Sequence, residues 1–137
     1  MNEKEIINTL SKAYFSDNPH EREVMALMPR LLRGVKLFVD VGASLGQFTK
    51  AASQCLRGGR IVAVEADPLR ARELERSCKE WAAASGNSIQ AVHGAASNES
   101  GIIMFQITNS SVSGGLFKHG LDHLSEESRR NVITPAV

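Results

Sequence analysis

The sequence predicts an α/β domain built on a doubly wound parallel sheet, because three observations agree. Apolar segments alternate with segments of helical periodicity from residue 35 onward, in the order β-α-β-α-β. The first of these strands runs into a glycine-spaced turn that opens a helix, and the next strand ends in an acidic residue. Two predicted helices come first, so we divide the chain into a helical flank at residues 1–34 and an α/β domain at 35–137.

The flank consists of two short amphipathic helices. Residues 3–15 form the first, and a turn at Asp17 and Asn18 ends it. Asn18 can cap the second helix, Pro19 suits its first position, and Pro29 predicts a kink. The apolar stripe of the first helix is Ile6, Leu10, Ala13 and Tyr14, and that of the second is Val24, Leu27, Met28 and Leu31.

The first strand and its helix open the α/β pattern. Residues 35–41 are almost continuously apolar, which predicts a parallel strand buried on both faces. A helix is expected from Leu45 to about Arg57, where Gly58 and Gly59 stop it. Its predicted buried stripe is Leu45, Phe48, Ala52, Cys55 and Leu56.

The pattern then repeats once and changes. Strands are predicted at residues 61–66 and 89–93, joined by a helix that Asp67 caps and Gly86 ends. The buried stripe of that helix is Leu74, Cys78, Trp81 and Ala82. The later segments are predicted as a strand at 102–108, a Ser/Gly loop at 109–115, a polar helix at 121–131 and an extended start at 133–137.

Composition excludes several classes of partner. The chain has 137 residues, 42% of them hydrophobic, and its 16 Lys and Arg against 15 Asp and Glu create no basic field for nucleic acid. It has no apolar signal region and no run of about 18 apolar residues, so we expect a cytoplasmic protein without a membrane partner. Cys55 and Cys78 lie on the apolar sides of their helices, which favours two buried free thiols.

The turn at residues 40–47 carries the strongest functional signal. Gly42 and Gly46 give a ligand backbone clearance, but Ser44 and Gln47 stand where a dinucleotide fingerprint has its second and third glycines. Asp40 would lie near any bound phosphate, which is unfavourable in a poorly solvated cleft. S-adenosylmethionine (SAM) has no phosphate and carries an ammonium and a sulfonium, so an acidic residue beside the turn suits it.

Glu65 closes the second strand 23 residues after Gly42. An acidic side chain at this spacing accepts hydrogen bonds from a ribose diol. SAM and NAD share that diol, so Glu65 fits both cofactors and the turn favours SAM. An NAD-binding oxidoreductase domain therefore remains the alternative from the same fold class.

Four segments of the chain resemble the FkbM-type family of SAM-dependent methyltransferases. They are FVDVGASLGQFTKAA, IVAVEADP, VHGAASNESG, and the following strand with its NSSVSGGLF loop, and they cover about residues 31–117. The resemblance implies a Rossmann-like class I methyltransferase fold and methylation of a hydroxyl on a small molecule or sugar. It also implies SAM as cofactor and residues 35–137 as the SAM-binding domain.

The same resemblance implies which residues hold SAM. Those that line the methionine end are Asp40, Gly42, Ala43 and Gly46, within the turn that also contains Ser44 and Gln47. Glu65 holds the ribose, Ala66 and Asp67 flank the adenine, and Gly94 and Ala95 lie along its other edge.

The chain also departs from the family pattern. Members continue into an L-D-x-L segment and a fourth core strand with a K-x-D-x-E-G-x-E-like motif, and neither is present in this sequence. The second half of a doubly wound domain needs roughly another 80 to 100 residues. We therefore expect the SAM-binding domain to be incomplete at its C-terminal side, with the catalytic residues outside this sequence.

Other candidate residues carry weaker signals. His93 ends the third strand and is expected to pack or to line the adenine edge rather than act as a base. His119 and His123 are spaced for one helix face but lack a third ligand, so no metal site is predicted. The loop serines, which have a substrate loop and a surface turn as alternatives, are Ser110, Ser111 and Ser113. A non-catalytic nucleotide-binding or interaction module, pairing through an exposed sheet edge, is the alternative from another functional class.

Overall fold

The computed structural model describes residues 19–108, 114–115 and 129–137. In this part of the chain the helices are α1 (Pro19–Leu31), α2 (Gln47–Cys55) and α3 (Pro68–Ser85). The strands of a parallel sheet, in the order β1-β2-β3, are β1 (Leu37–Val41), β2 (Arg60–Glu65) and β3 (Ser88–His93). An antiparallel sheet, in the order β5-β4-β6, contains β4 (Gly101–Thr108), β5 (Gly114–Gly115) and β6 (Arg129–Ala136). The predicted α/β class and the β-α-β-α-β order are confirmed.

The helices cover one face of the parallel sheet. Phe38, Ile61 and Ile89 are paired across the three strands and therefore share that face. The first core cluster joins them to buried residues of α1 and α2, among them Met25, Met28, Ala51 and Ala52, and to Leu32 just after α1. A second cluster packs α3 on the same face through Ala43, Ala63, Leu74 and Cys78, with Trp81 and Ala91 against it.

The other face of β1 is open, which corrects the prediction of a strand buried on both faces. Leu37 is 55% exposed, Val39 50% and Val41 61%. The physical reason is that α1, α2 and α3 all pack on the other face of the sheet. In addition, β1 is an edge strand of the described sheet. The prediction of an apolar strand is confirmed, but β1 contacts the core only through the face that carries Phe38.

The buried face of α1 differs from the predicted one. Met28 is buried as expected, but its neighbours on the contact face are Met25 and Leu32, which are 2% and 8% exposed. The three residues predicted with Met28 are instead largely exposed, namely Val24, Leu27 and Leu31. Two apolar stripes lie side by side on this helix, so periodicity alone could not choose the one that packs on α2. The helix runs through Pro29 to Leu31.

The other helices differ from prediction mainly at their ends. Helix α2 begins at Gln47 rather than Leu45, and Leu45 is 54% exposed, so it is not part of the buried stripe. Gly46 stands at the N-terminus of α2 with φ +88°, in the left-handed region. Helix α3 agrees with prediction, because Asp67 caps it through the Leu69 N–H and Gly86 ends it in the left-handed conformation.

Asn87, just before β3, hydrogen-bonds to the C-terminal end of α2 and the loop after it. The sequence patterns did not predict this role. Its side-chain oxygen accepts from the Gly59 N–H at 2.9 Å, and its Nδ2 donates to the carbonyls of Ser53 at 2.9 Å and Leu56 at 3.3 Å. The residue is 4% exposed. Its amide therefore satisfies buried backbone groups that water cannot reach.

The C-terminal part forms an antiparallel ribbon. Strand β4 confirms the predicted strand at 102–108, and β6 confirms the extended segment at 133–137 but begins at Arg129. The predicted helix at 121–131 is therefore wrong for residues 129–131, which pair with β4 instead. Tertiary pairing with an apolar strand outweighs the weak helical preference of a short polar segment.

Several predictions fall on residues that the structure does not describe. They are the helix at 3–15, the cap at Asn18, residues 109–113 of the predicted loop at 109–115, and the segment at 121–128. The loop prediction is wrong for Gly114 and Gly115, which form β5 and pair with β4. Within the described ranges, none of the helices combines the length and the apolar character needed to cross a bilayer. Cys55 and Cys78 are both free, with Cys78 buried and Cys55 half-buried.

Candidate functional site

The predicted cofactor residues gather at one edge of the parallel sheet. Because β1, β2 and β3 run in the same direction, their carboxyl ends meet there, at Val41, Glu65 and His93. The turn at residues 42–46 follows β1 and the turn at residues 66–67 follows β2. Ligands of open α/β sheets bind in the crevice outside these strand ends. We call this region the carboxyl edge.

Glu65 links the two turns. Its Oε2 accepts from the Ser44 N–H at 2.7 Å, and its Oε1 accepts from the Asp67 N–H at 2.8 Å. The residue is 6% exposed. A carboxylate oxygen has two acceptor positions, so each oxygen retains one for a further donor. Glu65 therefore fixes both turns and still has the chemistry that a ribose diol requires.

The turn after β1 is held by hydrogen bonds to residues of β2. The N–H groups of Gly42 and Ala43 both donate to the Val64 carbonyl at 2.9 Å. Ser44 has φ 53°, a conformation that non-glycine residues seldom adopt, and its N–H is the group that Glu65 binds. Hydrogen bonds within the protein thus fix the conformation of the turn, a feature that favours preorganised binding.

Gly42 and Gly46 are glycines for different reasons. Both have positive φ, at +78° and +88°. A Cβ added at Gly42 would meet nothing within 4 Å, so the space beside this residue is open. A Cβ at Gly46 would lie 2.7 Å from Leu74 and 2.8 Å from the Trp81 ring. Gly42 therefore leaves room at the carboxyl edge, whereas Gly46 lets α2 approach α3.

The side chains of Asp40 and Ala43 turn inward. Asp40 Oδ2 accepts from the Thr49 hydroxyl at 2.6 Å, and Thr49 is fully buried in α2. Burial raises the pKa of the Asp40 carboxyl, and the hydrogen bonds from Thr49 oppose this rise only in part. Ala43 is 5% exposed in the second core cluster. Ala43 would thus contact a ligand only through its backbone, while Asp40 supplies negative charge beneath the turn.

Arg70 is a residue of this region that sequence reasoning missed. Its Nε lies 3.5 Å from Asp67 Oδ2, and its Nη1 donates to Ser44 Oγ at 3.4 Å. The i, i+3 spacing of Asp67 and Arg70 was visible in the sequence, but the contact with Ser44 depends on the fold. The guanidinium thus joins the same two turns as Glu65 does.

The carboxyl edge is net negative. Residues 40–44 and 65–70 together contain three carboxylates, Asp40, Glu65 and Asp67, and one cation, Arg70. Their formal charge is therefore −2. Such a site favours a cationic ligand group and disfavours a phosphate.

The predicted adenine edge is bordered by the last strand. Gly94 donates its N–H to the Glu65 carbonyl at 2.9 Å, and a Cβ added there would lie 2.6 Å from Val137. Ala95 is 4% exposed and exchanges backbone hydrogen bonds with Pro135 and Val137. Residues 135–137 therefore contact Gly94 and Ala95, which the resemblance places along one edge of the adenine, and Gly94 has a packing reason to be glycine.

The remaining predicted residues have mixed positions. His93 Nε2 is hydrogen-bonded to Thr134 Oγ1 at 3.1 Å, and Thr134 is fully buried, which agrees with the expected packing role. Ala66 is 7% exposed, and Gln47 is the half-buried first residue of α2. Five of the candidate histidines and serines named from the sequence lie outside the described residues, namely Ser110, Ser111, Ser113, His119 and His123. The described part of the chain contains no group of three or more potential metal ligands.

Comparison with known proteins adds no assignment. No family model matches the chain, and a search of curated proteins finds no match. The geometry and charge of the carboxyl edge are therefore the observations that bear on function.

Proposed function

We propose that this chain belongs to a SAM-dependent methyltransferase of the FkbM type that methylates a hydroxyl on a small molecule or sugar. The observation that carries the proposal is the Glu65 carboxylate, which holds the turns after β1 and β2 and keeps an acceptor position on each oxygen. The proposed fold is the Rossmann-like class I methyltransferase fold, of which the parallel sheet and its helices form one half.

The charge of the carboxyl edge supports SAM over a dinucleotide. Two unit charges about 6 Å apart interact by about 3 kcal/mol when the effective dielectric constant is near 20. Three carboxylates against the single guanidinium of Arg70 make this interaction favourable for the ammonium and sulfonium of SAM. The same field opposes the pyrophosphate of NAD, although the ribose of NAD would also suit Glu65.

The residues of the turns after β1 and β2 fit the ribose and the methionine end of the cofactor. Glu65 would accept from the ribose hydroxyls, and the open space beside Gly42 would admit the methionine end next to the acidic turn. When bound, SAM supplies a methyl group on a positively charged sulfur. The contribution of these residues is to orient the cofactor and exclude water from it, and the fixed turns favour that role. A hydroxyl acceptor also needs a general base, and none of the described side chains at the carboxyl edge is assigned this role.

Isothermal titration with S-adenosylhomocysteine and NAD tests the proposal. We expect the purified chain to bind S-adenosylhomocysteine and not NAD, and Glu65→Gln to weaken that binding about 10-fold or more, since a hydrogen bond to a charged group contributes about 1.5 to 3 kcal/mol. The matched control is Glu80→Gln, which removes an exposed carboxylate on α3. Binding of NAD in place of S-adenosylhomocysteine, or equal binding by the Glu65 and Glu80 variants, would contradict the proposal.

One edge of β1 pairs with none of the described strands, and this edge favours a second candidate, a non-catalytic interaction module. Lys36 and Gly42 bond to β2, so by alternation the backbone groups of Leu37, Val39 and Val41 face away from it. An exposed strand edge with apolar side chains is a template for pairing with another strand. Sedimentation equilibrium separates the candidates: a stable oligomer that binds no S-adenosylhomocysteine supports the module, and a monomer that binds it supports the methyltransferase.

A further inference from the structure

A cavity lies at the opposite end of the parallel sheet from the carboxyl edge. It has a volume of about 320 Å³ and is formed where α1 and α2 end and β1 begins. Small-molecule pockets in proteins begin at about this size. Its position at the amino ends of the strands separates it from the proposed cofactor site, so it has no role in the proposed methyl transfer.

Cationic side chains line the cavity. They are Arg33, Lys36 and Arg57, and none of the described residues that line it is acidic. Lys36 Nζ lies 3.4 Å from the Arg57 carbonyl, and Arg57 Nη1 donates to the carbonyls of Gln54 at 2.8 Å and Leu56 at 3.0 Å. Arg57 therefore uses its Nη1 at the end of α2. A guanidinium has five N–H donors, so Nε and Nη2 of Arg57 can also donate to a ligand.

The cations outweigh the helix ends beside them. A helix C-terminus carries about half a negative charge, so α1 and α2 together bring roughly one. Lys36 and Arg57 alone bring two positive charges, and Arg57 already satisfies part of the α2 terminus. The cavity is thus net positive even when Arg33 is left out of the count.

The floor of the cavity is apolar. Leu32 is 8% exposed and belongs to the first core cluster, and Val35 and Cys55 pack against that cluster. A purely inorganic anion would leave this surface in contact with water. The combination of cationic rim and apolar floor fits an anion that also carries a compact apolar group.

We propose that this cavity binds a small organic anion, with a phosphate or carboxylate group on Lys36 and Arg57 and an apolar group against Leu32 and Val35. Arg57 can contact two oxygens of such a group at once, whereas Lys36 acts as a point charge. The ligand does not meet the cofactor, because the two sites are at opposite ends of the strands.

Protection of Cys55 from alkylation measures occupancy of the cavity directly. Cys55 lines the cavity, and Cys78 is buried in the second core cluster and serves as the internal control. We expect saturating phenyl phosphate and benzoate to slow the modification of Cys55 by iodoacetamide at least 5-fold. Inorganic phosphate, which lacks the apolar group, should protect less, and neutral benzyl alcohol should not protect.

Charge-removing variants identify the side chains that hold the anion. We expect Lys36→Gln combined with Arg57→Gln to abolish protection by phenyl phosphate, while Arg72→Gln combined with Lys79→Gln on the exposed face of α3 keeps it. Lys36→Gln alone leaves the helix contacts of Arg57 in place and should weaken protection without lowering the melting midpoint. Absence of protection in the native chain, or equal protection in the double variants, would overturn the proposal.

Discussion

At the scale of single residues, Gly42 borders open space at the carboxyl edge, whereas Gly46 packs against side chains of α3. Both adopt the left-handed conformation, but only Gly46 touches other side chains at the position of a Cβ. Spacing in the sequence suggested one role for both. In the structure their surroundings differ, because Leu74 and Trp81 of α3 lie against Gly46 and open space lies beside Gly42.

This difference predicts two unequal alanine variants. A non-glycine residue in the left-handed region costs about 1 to 2 kcal/mol, and overpacking costs about 1 to 3 more. Gly42→Ala should therefore lower the free energy of unfolding by about 1 to 2 kcal/mol, and Gly46→Ala by about 2 to 5. Urea denaturation of both variants measures this. Equal losses would mean that Gly46 does not control the approach of α2 to α3.

The buried carboxyl of Asp40 predicts a pH dependence of stability. Its pKa is raised from 3.8, chiefly because burial disfavours the charged form. The native state therefore holds this proton more tightly than the unfolded state, so the Asp40 contribution to the free energy of unfolding falls as pH rises from about 3.8 through the native pKa. Asp40→Asn removes this contribution while keeping an oxygen that can accept from Thr49.

We therefore expect Asp40→Asn to gain stability relative to the native chain as pH rises through that window, and the gain to level off above it. Urea denaturation from pH 3.5 to 7 measures the difference, with Glu80→Gln as the control for loss of one surface carboxylate. A difference that is constant over this range would show that the Asp40 carboxyl is not held in a poorly solvated position.

Local chemistry explains which residues could be predicted. Asp67 and Gly86 bound α3 as expected, because a cap and a left-handed end depend on the nearest few residues. The contacts of Asn87 with Ser53 and of Arg70 with Ser44 join residues 34 and 26 positions apart. No local pattern encodes such contacts, so the sequence could place Glu65 at the site but could not show that it holds both turns.

At the scale of elements, the parallel strands were recovered within about two residues because apolar runs bounded by turns are a strong signal. The buried face of α1 was not predicted correctly, because Val24, Leu27 and Leu31 form a second apolar stripe beside the buried one. The neighbours of a helix decide which stripe is buried. The open face of β1 has the same origin, because an apolar strand shows that it can be buried and not what covers it.

The orientation of α1 predicts a matched pair of variants. Met28 is 4% exposed in the first core cluster, whereas Leu27 is 49% exposed. Met28→Ala should cost about 2 to 5 kcal/mol through lost burial and the cavity that it leaves, and Leu27→Ala should change stability by about 0.5 kcal/mol or less. Thermal or urea unfolding measures both. A larger loss of stability for Leu27→Ala than for Met28→Ala would show that the stripe first predicted from the sequence is the buried one.

At the scale of the whole molecule, two ends of one sheet carry opposite charge. The carboxyl edge is acidic and its turns are fixed by Glu65, while the cavity at the amino end is lined by Lys36 and Arg57. The first suits the cationic cofactor proposed for methyl transfer, and the second suits an organic anion. Neither region is proposed to bind the methyl acceptor, since no described residue contributes an acceptor pocket beside the carboxyl edge.

Thermal unfolding of the chain with S-adenosylhomocysteine or NAD tests the central claim most directly. A ligand that binds only the native state at 100 times its dissociation constant adds about 2.7 kcal/mol, which corresponds to roughly 10 °C for a chain of this size. We expect S-adenosylhomocysteine to raise the melting midpoint by about this amount and NAD at the same concentration to leave it unchanged. A cooperative transition that S-adenosylhomocysteine does not move, or one that only NAD moves, would contradict the assignment of the carboxyl edge to SAM.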